Sequence, residues 1–203
     1  GLETRPIKTS YSASAGTAYV TYESVKVPVE NLLGRENQGF RCIMHNFNHE
    51  RWYIVAGANR ASRLVVEECF KWAHQREVFG KPLVEQPVIR AKLARIASLV
   101  EGVHAWLEAV THQMRSMSHE EQAAKLAGPI ALLKHLCTRC AGEVMDEACQ
   151  IFGGRAITAT GMGQIVERFQ RSAKFAAILG GSEEIMADLG VRQAMRAMPN
   201  ARL

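Results

Sequence analysis

Residues 87–114, PVIRAKLARIASLVEGVHAWLEAVTHQM, decide the fold class. Their apolar residues Ile89, Leu93, Ile96, Val100, Val103, Leu107, Val110 and Met114 recur at steps of three and four. That spacing puts all of them on one face of a helix, whereas a half-buried strand would alternate every second residue. A stripe of this length is stable only when buried against other helices. The helix begins after Pro82 or after Pro87, since proline suits a first helical turn.

Working outward, Phe79, Gly80, Lys81 and Pro82 end an earlier helix that runs from about Gly39 to about Gln75. Downstream, Ser118 followed by Glu121 has the spacing of a capping box and opens a third helix. Its stripe is Leu126, Ile130, Leu133, Cys137, Cys140 and Val144, continuing toward Ile151, and Phe152-Gly153-Gly154 ends it. Pro129 falls in its first turns and is expected to kink the helix or delay its start. Two shorter helices follow, near 163–176 and 183–198, separated by Leu179-Gly180-Gly181-Ser182. Three long and two short amphipathic helices pack as an antiparallel bundle.

Residues 17–27, TAYVTYESVKV, are rich in β-branched and aromatic side chains and read as strand, with Tyr22, Val25 and Val27 expected at buried positions. Pro28 and residues 31–34 then punctuate the chain. One or two strands do not make a stable sheet alone, so this segment reads as the end of a larger β domain, and polar residues 1–10 as a cut into it. The expected organisation is the end of a β domain plus linker over 1–36 and a helical bundle over 37–203. The fold class is mainly α, an antiparallel bundle preceded by a short β segment from a truncated β domain.

Composition narrows the function classes. Of 203 residues, 47% are hydrophobic and 22% charged, so a real core can form. No apolar run approaches the roughly 18 residues of a membrane span. The net charge of +5 is spread along the chain without a Lys/Arg run, which leaves no nucleic-acid footprint. The same surplus suits a small, phosphate-rich ligand. Five cysteines without a secretion signal read as reduced thiols. Cys137 and Cys140 form a C-x-x-C inside an apolar helical pattern; core positions are the first reading, redox work or half a zinc site the alternative. His45 and His49 share a helix face and could meet a metal, but no further ligand completes the set.

Four strings go further than periodicity. They are VKVPVENLLGRENQGF at 25–40, R-x-x-F-G-K-P at Arg76, Phe79, Gly80, Lys81 and Pro82, QIFGG at 150–154, and ILGGSEEI at 178–185. In this order and spacing the chain resembles the C-terminal helical domain of the acyl-CoA dehydrogenase family. The resemblance implies that an N-terminal helical domain and most of a β domain lie upstream. It implies FAD bound between the β and helical domains, with a neighbouring subunit contributing. It also implies an acyl-CoA substrate, electron-transfer flavoprotein or oxygen as electron acceptor, a role in fatty acid β-oxidation, and a homo-oligomer, dimer or tetramer.

Removing a proton from the carbon beside a thioester requires a carboxylate in a dry site, donors for the developing enolate oxygen, and a β-carbon aligned with the hydride acceptor. Most of the family carries the base on the late loop, where this chain has Gly180. The isovaleryl- and long-chain-type members carry it on the first helix of this domain in an E-R pair, and this chain has Glu50-Arg51 there, in NHERWYIVAGA. The resemblance therefore implies Glu50 as base, with the Gly180 N–H retained as oxyanion donor. The plain alternative for Glu50 is a solvated charge on a helix. Arg51 matches a position that contacts the CoA portion, and its alternative is a surface ion pair.

The resemblance assigns the flavin dinucleotide to Arg76, Phe79, Gln86, Gln150, Gly153, Gly154, Ser182 and Glu184. Arg76 would fork onto pyrophosphate, the glycines would let backbone approach it, Ser182 would also cap the last helix, and Glu184 would face the adenosine. Arg155, Ala156 and Ile157 replace the family's x-G-[YF], and Arg171-Ser172 its R-D. The ending Ala201-Arg202-Leu203 fits a peroxisomal address, with mitochondria as the alternative. Rival readings are an acyl-CoA oxidase and a bundle that serves only in assembly.

Overall fold

The structure is a computed structural model and describes residues 1–11 and 15–198. Two compact units divide the chain, Gly1–Phe47 and Asn48–Leu203. In the first, β1 (Leu2–Pro6) pairs antiparallel with β2 (Ala18–Tyr22), from Leu2↔Tyr22 to Pro6↔Ala18. The first of these strands is absent from the sequence reading, because its residues are mostly polar and its ladder partner lies a loop away. Arg5 lies 5.4 Å from the centre of the Tyr19 ring, its register partner. Tyr22, Val25 and Val27 are 72%, 40% and 67% exposed, which corrects the expectation that they are buried. A two-stranded ladder has no opposing layer of its own to cover them.

Helix α1 (Gly39–Gln75) starts in the first unit and continues into the second. It ends at a two-residue hairpin, β3 (Glu77–Val78) and β4 (Lys81–Pro82). Phe79 and Gly80 form its tip at φ 53° and 73°, the doubly left-handed turn that matches strand twist. Helix α2 (Pro87–Ser116) takes Pro87 in its first turn, which settles the start left open between two prolines. All eight residues of its stripe are buried or packed against the core, Ile96 without any exposure.

The capping box forms: the Ser118 hydroxyl accepts from the Glu121 amide, and the Glu121 carboxylate accepts from the Ser118 amide. It opens only the short α3 (His119–Lys125), however. After Leu126 a separate helix α4 (Ala127–Phe152) begins, so the expected single third helix is two. Pro129 is the reason. It lacks the N–H that would bond the Lys125 carbonyl in a continuous helix, and it is tolerated only in a first turn. Helices α5 (Gln164–Ile178) and α6 (Glu183–Ala197) complete the bundle.

Helix α4 is the centre of this unit and packs on α2, α5 and α6. Its Ile130, Leu133 and Val144 are fully buried. Ion pairs Lys92–Glu147 and Arg95–Glu143 tie α2 to α4 along the rim. Cys137 and Cys140 lie in the same core, and burial pushes the Cys137 thiol up to about 12. The C-x-x-C is thus a pair of core positions with no accessible thiolate. Among the described residues no cluster of three or more His, Cys, Asp or Glu could hold a metal, and no helix is long and apolar enough to cross a membrane.

Candidate active site

The turn between α5 and α6 is built for close approach. Helix α5 closes with the Leu179 amide donating to the Phe175 carbonyl at 3.1 Å. Gly180 and Gly181 then take φ of +65° and +109°, which glycine adopts without strain. A Cβ on Gly180 would stand 2.7 Å from Ile54 Cδ1 on α1, and one on Gly181 2.4 Å from Met186 Cε. A side chain at 180 would therefore need both a left-handed backbone and a displaced Ile54. The Ser182 hydroxyl accepts from the Ile185 amide at 3.5 Å and caps α6, as its residue type predicts.

Three side chains from the surrounding helices hold this turn by its carbonyls. Arg51 Nε donates to the Gly180 oxygen at 2.9 Å, and Lys134 Nζ donates to the Gly181 oxygen at 2.6 Å. His135 Nδ1 lies 3.0 Å from the Glu183 oxygen, a hydrogen bond in the tautomer protonated at Nδ1. Arg51 is only 8% exposed and Lys134 not at all. Arg51 is therefore not a surface residue: its side chain is buried, and its Nε is bound to backbone across the bundle. Burial disfavours both charges. The Lys134 ammonium is pushed down by desolvation and then by neighbouring Arg51, with Glu183 acting in the opposite sense. Desolvation lowers Arg51 too, and Glu50 opposes it.

Glu50 precedes Arg51 by one residue and Ile54 by one helical turn. Residues four apart lie on one helix face. Glu50 therefore shares the edge of α1 on which Ile54 meets Gly180, and it is half-buried there. The adjoining face is anchored by Trp52, whose Nε1 donates to Thr111 Oγ1 on α2 at 2.8 Å, and by Val55, which is fully buried. The structure thus brings Arg51 and Ile54 to Gly180, with Glu50 beside Arg51 in the chain and Ser182 two residues after Gly180.

Away from this turn, a cavity gathers Arg76, Gln150, Gly153 and Gly154 at the end of α4, with Arg155 beside them. Trp72 stacks on Phe152 at 5.2 Å and 12° to form part of its wall. Gly153, at φ +59°, ends α4, and no atom lies within 4 Å of a Cβ built on either glycine. Phe79 and Gln86 do not join this lining. Phe79 projects from the hairpin tip, 96% exposed, and Gln86 caps α2 through its carbonyl, which accepts from the Ile89 and Arg90 amides. Glu184 is exposed in the first turn of α6. Its own amide and the Ser182 hydroxyl hold its carboxyl below the usual range.

Sequence reasoning missed Lys134, His135, Ile54 and Arg155. A signal for Lys134 was present: a lysine between Leu133 and Cys137, four residues after Ile130, in the most apolar stripe of the chain. Ile54 carries no such mark, since its importance comes only from what it touches.

Comparison with known proteins agrees with this architecture. Residues 37–195 match the profile described as acyl-CoA dehydrogenase, C-terminal domain. Acyl-CoA dehydrogenase apdG of Emericella nidulans is 37% identical over 196 residues, covering 97% of this chain and 45% of that protein. Acyl-CoA dehydrogenase AFT10-1 of Alternaria alternata is 37% identical over 198 residues, covering 97% and 46%. Among solved structures, a probable acyl-CoA dehydrogenase from Mycobacterium abscessus superposes with a TM-score of 0.86 at 29% identity, covering 96% of this chain and 50% of that one. An acyl-CoA dehydrogenase from Geobacillus kaustophilus does so at 0.84 and 25%, covering 96% and 49%. The chain spans about half the length of the relatives it matches. It belongs to the acyl-CoA dehydrogenase family, of which residues 37–195 form the C-terminal domain.

Proposed function

We propose that this chain supplies the proton-abstracting half of an FAD-dependent acyl-CoA dehydrogenase acting on fatty or branched-chain thioesters, with Glu50 as the base. The observation that carries the reading is the pairing of an excluded side chain with an available one. Gly180 has φ +65° and a Cβ position 2.7 Å from Ile54, while Glu50 sits one turn from that same Ile54. A carboxylate on α1 can stand over the turn without disturbing it.

In the proposed reaction the Glu50 carboxylate accepts the α-proton of the thioester. The Gly180 N–H donates to the carbonyl oxygen as negative charge grows there. Among the described residues no hydrogen bond occupies that amide. Arg51 holds the turn through the Gly180 carbonyl and adds positive charge below it. The CoA contact implied for Arg51 stands as part of the proposal.

The cavity at the end of α4 fits a dinucleotide pyrophosphate on its own chemistry. Two guanidiniums, Arg76 and Arg155, flank backbone left open at Gly153 and Gly154, and Gln150 adds an amide. Gln86, Phe79, Ser182 and Glu184 complete the contacts proposed along the flavin dinucleotide. Bound FAD would supply the acceptor for the β-hydride. Electron-transfer flavoprotein or oxygen would reoxidise it, and a neighbouring copy in a dimer or tetramer would complete the cradle. A peroxisomal setting rests on Ala201-Arg202-Leu203, which lie outside the described residues, with mitochondria as the alternative.

The test is Glu50→Gln in the flavin-loaded protein. The expected outcome is flavin content unchanged and reduction by acyl-CoA slowed by about 10³-fold or more, the scale on which removal of an essential catalytic group is measured. Reduction at the wild-type rate removes Glu50 from the mechanism.

A further inference from the structure

The buried ammonium of Lys134 has no part in the mechanism above. Resting on that reading, we propose that Lys134 is a positioning residue for proton abstraction: it pins the Gly181 carbonyl and so holds the Gly180 N–H on the acyl oxygen.

A peptide unit is rigid, so fixing its carbonyl oxygen fixes the direction of the N–H on its far side. Arg51 takes the Gly180 oxygen at 2.9 Å and fixes the plane joining 180 and 181. Lys134 takes the Gly181 oxygen at 2.6 Å and fixes the plane joining 181 and 182. On the other side, the Leu179 amide is tied to the Phe175 oxygen at 3.1 Å, which fixes the plane joining 178 and 179. The plane carrying the Gly180 N–H, which joins 179 and 180, lies between the plane at 178–179 and the one Arg51 holds; Lys134 holds the next plane along and so keeps the Arg51-bound one from turning about Gly181. It needs these restraints, because two consecutive glycines at positive φ are free to exchange one turn geometry for another.

The chemistry of the pin is informative. Lys134 is wholly buried in the apolar stripe of α4, beside a second cation, Arg51. Burying a charge near a like charge is costly, and a neutral donor would serve equally to fasten a turn. A charged donor does more. With Arg51 it sets positive potential below the atom on which oxygen charge develops. Arg51 comes from α1 and Lys134 from α4, so the turn is held from two different helices. Glu183, itself 7% exposed and 3.6 Å from Lys174 Nζ, is the acidic group that favours the charged lysine.

The experiment uses the flavin-loaded protein with Lys134→Met, which keeps an unbranched side chain one atom shorter and removes both donor and charge. Two quantities are read: the split between kcat and KM, and the pH at which a bound 3-thia-acyl-CoA loses its α-proton without being oxidised. Loss of an oxyanion donor lowers kcat by about 10²–10³-fold, so a donor loosened but present should cost about 10–100-fold. KM should stay within about twofold. Tenfold weaker enolate stabilisation moves the ionisation of the analogue up by about one pH unit. Wild-type kcat in Lys134→Met, or an analogue that ionises at the wild-type pH despite slower turnover, overturns the assignment. Should Lys134→Met fail to fold, Lys134→Gln, which keeps a donor without charge, must show a smaller fall of the same kind, and wild-type behaviour there also overturns it. A wild-type protein that ionises no analogue and oxidises no acyl-CoA refutes the proposed function itself, a result distinct from normal wild-type chemistry with indifferent Lys134 variants.

Discussion

Replacing Gly180 by glutamate would return a carboxylate to the place where most of the family carries its base, and the structure fixes what that costs. The new residue must hold φ near +65°, which costs a side chain about 1–2 kcal/mol. Its Cβ would stand 2.7 Å from Ile54 Cδ1, so that methyl must swing away. Forcing Ile54 off its rotamer adds about 0.5–1.5 kcal/mol. The sum is about 1.5–3.5 kcal/mol, or roughly 3–14 °C in Tm for a domain of this size. Gly180→Ala isolates the same two contributions without the carboxylate and should lose nearly as much. In an Ile54→Ala background the rotamer part disappears, and Gly180→Ala should cost only about 1–2 kcal/mol. Thermal denaturation of the four proteins closes the cycle. An unchanged Tm for Gly180→Ala would refute the reasoning, because it would mean that the turn accepts a side chain without cost.

Two further predictions concern the cradle and the core. Arg76→Ala and Arg155→Ala should each weaken FAD retention by about tenfold, since a charge-assisted hydrogen bond is worth about 1.5–3 kcal/mol before solvent competition; titration of apoprotein with FAD measures it, and unchanged affinity in both would exclude this cavity as a pyrophosphate site. The thiols of Cys69 and Cys137, each pushed up to about 12 by burial, should resist alkylation at pH 8 while exposed Cys42 reacts. The sign follows by linkage: an acid whose folded pKa is raised contributes stability that is full below its unfolded value near 9 and is lost as pH rises toward 12. Urea denaturation between pH 8 and 11 should show that decline, and Cys137→Ala should flatten it.

How much of this was legible beforehand differs between fold and site. The α2 stripe from Ile89 to Met114 is periodic and local, and it read correctly. The division at Leu126 is half visible in the sequence: Pro129 marks a disturbance, but whether it kinks or restarts a helix depends on which carbonyl loses its partner. The exposed Tyr22, Val25 and Val27 show the limit of a hydrophobicity argument, since a side chain can be buried only if a covering layer exists. At the site, the roles proposed for Gly180 and Glu50-Arg51 rest on strings of this sequence that resemble a family. The grip of Arg51 on Gly180 joins residues 129 apart in the chain, and that of Lys134 on Gly181 residues 47 apart. No local pattern encodes such contacts. Only the oddity of a lysine in an apolar stripe hinted at the second.

The central claim is that Glu50 receives the α-proton, and exchange measures this directly. The flavin-loaded protein is incubated with acyl-CoA in deuterium oxide, and deuterium at the α-carbon of recovered thioester is followed by mass spectrometry for wild type and Glu50→Gln. The account predicts uptake by the wild type and none above the solvent background by Glu50→Gln, both proteins holding equal flavin. Equal uptake by the two would show that another group removes the proton.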